Sequence, residues 1–222
     1  MKFLKFSFIA LLFVLLNSCV SSIPVNNNFY SNGNKMGIIV YIEYIALTQV
    51  GSRGLLDLAL TPGNRFKAPL DSIAPSFDFR DRIKSEVAVL MEKRGKNFEF
   101  LPDDIDLKTV ERYKAPEKSK LKYSKMDLRS FKEKYGVKEI MIVDVKYGLA
   151  VGYYGMIETG KDGFSMIYTE FVNLDNNSLL GRNTFQSMGK MKGNWKKDDY
   201  INLKKAINDA MNESIRFMKV TY

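Results

Sequence analysis

The chain has 222 residues, a formal net charge of +9, no histidine and one cysteine. Without histidine it can build no Ser-His-Asp triad, no Cys-His pair and no imidazole-ligated zinc site, and one cysteine closes no internal disulfide. Its length suits a single core. Its lysines and arginines alternate with acids, as in Asp78-Phe79-Arg80-Asp81-Arg82, the pattern of solvated faces rather than of a nucleic-acid surface.

Lys2 and Lys5 precede an apolar run from Phe6 to Leu16, half of what a membrane-crossing helix needs, so residues 1–18 read as a signal peptide. Leu16-Asn17-Ser18-Cys19 resembles the lipobox of bacterial lipoproteins: an aliphatic residue, a tolerant position, a small residue and cysteine. The resemblance implies that Cys19 becomes the first residue of the exported protein and carries palmitate-type acyl chains. Acylation would consume the odd thiol. A conventional cleaved secretory peptide with an incidental cysteine is the competing reading. No acidic residue follows Cys19 directly, which by the same resemblance points to the outer membrane, with the domain facing the periplasm. Without residues 1–18 the charge falls to +7, since Lys2 and Lys5 are lost with no acid.

Residues 19–35 are polar and rich in Ser and Asn, with Pro24 and Gly33 as breakers, and read as a lipid-anchored flexible tether to an α/β envelope domain over residues 36–222. Met36 to Ile42 is a β-branched and aromatic run, expected as a strand buried on both faces. Gly51 to Pro75, with one apolar cluster at Leu55-Leu56-Asp57-Leu58, is expected as a long connection. Phe79, Ile83, Val87, Leu90 and Met91 recur at helical spacing, with Ser76 or Asp78 as cap and Gly95 as stop. A short strand follows at Phe98 to Leu101. Pro102 to Lys125 is charged and weakly patterned. Its acidic cluster, Asp103-Asp104-Ile105-Asp106, lacks calcium-loop spacing and reads as helix capping. Leu128, Phe131 and Tyr135 mark a short helix that Gly136 ends.

Val137 to Tyr147 is the best strand in the chain, followed by a Gly- and Tyr-rich run to Gly155. Asp162-Gly163 is expected as a hairpin turn, Phe164 to Leu174 as the next strand, Asp175-Asn176-Asn177 as a second turn and Leu179 to Met188 as the last strand. A long helix from Asp198 to Met218 closes the chain. Its stripe is Ile201, Leu203, Ala206, Ile207, Ala210, Met211, Ile215 and Met218, with Asp198 as cap and Trp195 plugging the seam with the sheet. The sum is an α/β single-domain sandwich: a mixed, largely antiparallel sheet with two or three helices packed on it. Lipobox, tether and strand layout together resemble the outer-membrane assembly lipoproteins that include the curli-secretion lipoprotein and the lipoprotein activators of peptidoglycan synthases, whose domains resemble an anticodon-binding fold. The resemblance implies an assembly role, leaves an oligomer possible and transfers no site residue.

No cofactor or metal is implied. Ser187-Met188-Gly189-Lys190 lacks the further parts of a serine–lysine acylase, and the glycines at 148, 152, 155, 160 and 163 form no phosphate loop. The reading is a membrane-anchored, non-enzymatic interaction or assembly module. Tyr147, Tyr153, Tyr154 and Met156, set among glycines on a hairpin, are the partner-binding candidates; ordinary sheet packing is the competing account. The densest basic stretches, Lys114 to Lys125 and Lys190 to Lys197, are candidate docking sites for an anionic surface if they are not merely solvated. No nucleic acid is expected as a partner. A histidine-independent hydrolase or small-ligand carrier in the periplasm is the second reading, and it requires a deep pocket with convergent polar groups.

Overall fold

The β-branched run at the start of the domain forms β1 (Met36–Ile42), and in the computed structural model, which describes residues 22–52, 65–155 and 157–222, this strand lies inside the sheet with both faces covered. Cys19, the cluster at residues 55–58 and Met156 lie outside the described residues. The elements in chain order are α1 (Asn27–Ser31), β1, β2 (Ala46–Ser52), α2 (Lys67–Ile73), α3 (Phe79–Lys93), β3 (Phe98–Phe100), α4 (Ser130–Tyr135), β4 (Glu139–Tyr154), β5 (Ile157–Asn173), β6 (Leu179–Gly189) and α5 (Lys197–Thr221).

Among the described residues the strands form one open, mixed six-stranded sheet ordered β3-β1-β4-β5-β6. β1 pairs in parallel with β3 and with the first half of β4, and β2 continues along the second half of β4. β4, β5 and β6 form the antiparallel meander that the sequence indicates. Strand alternation divides the side chains. Met141, Val143, Val145, Tyr147, Leu149 and Val151 of β4 face α3 and α5 and build the larger core. Ile140 and Ile142 point the other way, into a smaller core closed by Leu107, Leu128, Phe131 and Val137 of the segment between β3 and β4. α5 buries Leu203, Ile207, Met211, Ile215 and Met218, each worth about 1.5–3 kcal/mol when withdrawn from water.

Several expectations change. The hairpin turn sits at Gly155, where φ is +57°, because β4 and β5 run on as strands of 16 and 17 residues, and Asp162 and Gly163 are paired inside the ladder with Ala150 and Leu149. Gly163 and Gly189 serve packing rather than turning: a methyl group at either would overlap the backbone of Ala206, so their absent side chains let α5 lie close on the sheet. Asp198 is no cap. It, Asp199 and Tyr200 have φ of 46°, 53° and 62°, so regular helix begins at Ile201, whose side chain is exposed. Trp195 packs between Phe66 and Tyr200, at ring separations of 5.6 and 5.7 Å, as a seam plug.

The largest change concerns the expected tether. From Ser22 onward the chain is part of the domain. Ile23 and Arg182 exchange both backbone hydrogen bonds at 2.8 Å, adding a bridge to the outer edge of β6. Phe29 of α1 packs edge-on against Phe171 at 5.3 Å. The Lys96 ammonium donates to Phe29 O (2.8 Å), Asn32 Oδ1 (2.8 Å) and Glu139 Oε2 (2.6 Å), and Asn32 and Asn34 donate their amides to Glu139 Oε1. Lys96 and Glu139 side chains are 0% and 3% exposed. A buried ion pair of this kind is tolerated because each group is fully hydrogen-bonded. Asparagines that look like linker composition are here the partners of a buried charge.

Candidate functional site

The β4–β5 hairpin carries the partner-binding candidates, and the structure separates them. Tyr147 is 6% exposed, its ring edge-on to Phe79 at 4.9 Å, and burial pushes its hydroxyl pKa up. Tyr153 is 7% exposed, with Arg65 Nη2 donating to its hydroxyl at 3.4 Å. Both face the helices, because odd-numbered residues of β4 point into the larger core, so they cannot touch a partner in the folded protein. Tyr154 is 76% exposed and pairs across the ladder with Ile157, itself 67% exposed. The surface that remains is therefore Tyr154 and Ile157 at the hairpin end, beside Gly155.

That end lies far from the amino-terminal bridge. Arg182, which holds Ile23, pairs with Glu170, and β5 runs thirteen residues from Glu170 back to Ile157, about 40 Å of strand. Below the tip the side chains form a polar groove of about 500 Å³ lined by Glu158, Lys161, Asp162, Lys190 and Trp195. Glu158 receives both Arg65 and Lys161. Desolvation, reinforced by Arg65 and Lys196, lowers the Lys161 pKa.

The sheet face opposite α5 holds charged groups that sequence reasoning passed over. Tyr41, Asp144 and Tyr168 lie side by side across β1, β4 and β5. Burial, with the negative Glu43 nearby, pushes the Asp144 carboxyl up to about 6 despite Lys146 and Lys108. Asp144 Oδ1 is buried and accepts no hydrogen bond from the described residues. Two residues along, Tyr168 donates to Glu170, and Arg182 Nη2 reaches the same Glu170 oxygen at 3.3 Å. Desolvation and the neighbouring carboxylate raise the Tyr168 pKa. The available signal was a lone acid inside Ile142-Val143-Asp144-Val145, where a strand buried on both faces has no place for an unpaired charge.

A cleft of about 1060 Å³ lies elsewhere, between Pro102, Asp104, Asp106, Asp127, Arg129 and Tyr135. Asp127 accepts from Arg129 Nε and Nη2 at 2.9 and 2.7 Å, and Asp106 caps a 3-10 turn by accepting from Lys108 N. Asp103 pairs with Lys84 and Arg80, so the acidic cluster splits between capping and ion pairing. Asp144 does not line this cleft, whose own shifted group is Asp127, held below the usual carboxylate range by its hydrogen bonds to Arg129. Among the described residues no three His, Cys, Asp or Glu side chains converge as metal ligands, and no helix is long and apolar enough to cross a membrane.

No protein-family model matches the chain, and no curated protein sequence matches it. Solved structures with a similar arrangement include the lipoprotein GNA1162 from Neisseria meningitidis, at 10% identity over 81% of this chain and 99% of that one, with a TM-score of 0.37. They also include the PelC dodecamer from Paraburkholderia phytofirmans, at 8% identity over 88% of this chain and 94% of that one, with a TM-score of 0.32. A third is a neuraminyllactose-binding hemagglutinin homolog from Helicobacter pylori, at 10% identity over 86% of this chain and 84% of that one, with a TM-score of 0.32.

Proposed function

We propose that the protein is a non-enzymatic envelope lipoprotein, anchored through acyl chains on Cys19 after removal of residues 1–18, that presents the end of its β4–β5 hairpin to a protein partner. The observation that carries this reading is the exposed Tyr154–Ile157 pair, 76% and 67% accessible, on two long paired strands. An exposed tyrosine on a rigid element costs little entropy to immobilise, and tyrosine is among the residues that most often carry binding energy at interfaces. The hairpin end also stands about 40 Å of strand from the edge where the amino-terminal segment joins β6, so an anchor at Cys19 leaves it free to reach outward. The outer membrane, with the domain in the periplasm, is the location that the lipobox and the residues after it favour.

The test is a photo-crosslinking residue at position 154 in intact cells, with a second at Lys205 on the outer side of α5 as control. A discrete adduct from position 154 and none from position 205 is expected. No adduct from 154, or the same adducts from both, counts against the hairpin as the contact. Hydrolysis or carriage of a small ligand is the weaker reading, because Asp144, the acid raised to about 6, does not line the cleft.

A further inference from the structure

Residues 114–125 carry five lysines, 114, 118, 120, 122 and 125, against one acid, Glu117, and all five lysines are exposed. The sheet fixes where this strip lies. Tyr123 bridges Ser178, Leu179 N donates to Lys122 O at 2.8 Å and Ser124 N donates to Asn177 O at 3.1 Å, so residues 122–124 run antiparallel along the start of β6, and Tyr113 N donating to Lys125 O at 2.9 Å folds the Lys114 end of the strip back beside them. Three residues further along the same edge, Arg182 holds Ile23, a separation of about 10 Å. Cys19 is four residues before Ile23, and four Cα steps span at most about 15 Å whatever path they take. Leu121, 56% exposed, stands between Lys120 and Lys122.

We propose that this strip is a second membrane contact, in which Lys114, Lys118 and Lys120 bind the anionic headgroups of the bilayer that holds the lipid on Cys19, with Leu121 entering the headgroup layer. The geometry rests on the anchoring reading above; the attraction itself comes from charge. An excess of four positive charges over twelve residues is what an anionic leaflet attracts, each lysine near the surface adding a comparable increment. Acyl chains and basic strip then hold the domain at two points on one edge. That arrangement fixes its tilt and turns the β4–β5 hairpin away from the bilayer.

The test uses the protein purified from its own membranes and placed in vesicles of phosphatidylglycerol mixed with phosphatidylcholine, or of phosphatidylcholine alone, with lysine acetylation rates read by mass spectrometry. Lys114, Lys118 and Lys120 are expected to react roughly fivefold or more slowly in the anionic vesicles, the factor that headgroup binding supplies for each lysine. High salt should erase the protection, and Lys190 and Lys197, near the far end of the sheet, should not change. Equal rates in the two vesicle types overturn the proposal. So does protection produced by inorganic phosphate with neutral vesicles, which marks a discrete phosphate site instead of a membrane contact. The same spectra report the amino-terminal peptide: an unmodified Cys19 beside protected lysines defeats the anchor and leaves the strip standing, and a lipidated Cys19 beside unprotected lysines does the reverse.

Discussion

Replacing Lys96 with Met should weaken the fold and release the amino-terminal segment together. The ammonium holds Phe29 O, Asn32 Oδ1 and Glu139 Oε2, all at 2.6–2.8 Å. Met fills most of the stem volume, so little cavity forms. Glu139, 3% exposed, would keep only the amides of Asn32 and Asn34 and lose its counter-charge. Breaking one side of a buried pair costs about 3–5 kcal/mol, a large share of the roughly 5–15 kcal/mol that holds a domain together. Urea unfolding followed by circular dichroism should show the midpoint fall with an unchanged slope, and the amides of Phe29 and Tyr30 should exchange faster. Lys96→Met with Glu139→Leu should recover most of the loss, since no charge is left stranded. A single variant within about 1 kcal/mol of the parent, or a double variant as weak as the single, refutes the reasoning.

Tyr154→Ala should leave stability within about 0.5 kcal/mol of the parent while abolishing the crosslink made by a photo-crosslinking residue placed at the paired position 157, whereas Tyr153→Ala, at a buried position, should cost about 3 kcal/mol; thermal melts separate the two. Gly163→Ala or Gly189→Ala should cost roughly 2 kcal/mol or more of stability, read as a sharp fall in melting temperature, because the added methyl meets the Ala206 backbone rather than a movable side chain. Asp144 binds its proton more tightly folded, at about 6, than a free carboxyl does at 3.8. Its burial therefore costs nothing below about pH 4, and the penalty grows as pH rises through 6 and persists above it. Asp144→Asn should stabilise the protein by about 1–2 kcal/mol at pH 8, after discounting for solvent screening, and leave it unchanged at pH 4. An equal effect at both values contradicts the assignment.

α3, α4, α5 and the strand order of the meander were legible in the sequence because each carries a clear apolar period, whereas α1 and α2 fall in the segments expected as tether and connection. Phe79, Ile83, Val87, Leu90 and Met91 fit a helix face and are buried on α3, and residues 137–147 could only be a strand covered on both sides. What misled was composition without period. Asn32 and Asn34 look like linker residues, but an amide donor is also what a buried carboxylate needs, and that demand arises only once Lys96 and Glu139 are brought together. Asp162-Gly163 has the chemistry of a turn, yet the glycine is there for the approach of α5, which involves residues about forty positions away. β2 was missed because residues 46–52 have few apolar residues and pair only through the second half of β4. Of the four aromatic and Met candidates on the hairpin, strand alternation alone sends Tyr147 and Tyr153 inward and Tyr154 outward. The sequence names the hairpin but not which of its faces is free until the register is known.

The measurement that bears most directly on the proposed anchor is the intact mass of the protein extracted from cell membranes. The account predicts a chain beginning at Cys19 whose mass exceeds that of the polypeptide by a thioether-linked diacylglycerol and further acyl groups, lost together when Cys19 is replaced by Ser. A polypeptide that keeps residues 1–18, starts at another residue or carries a free thiol at Cys19 would contradict it.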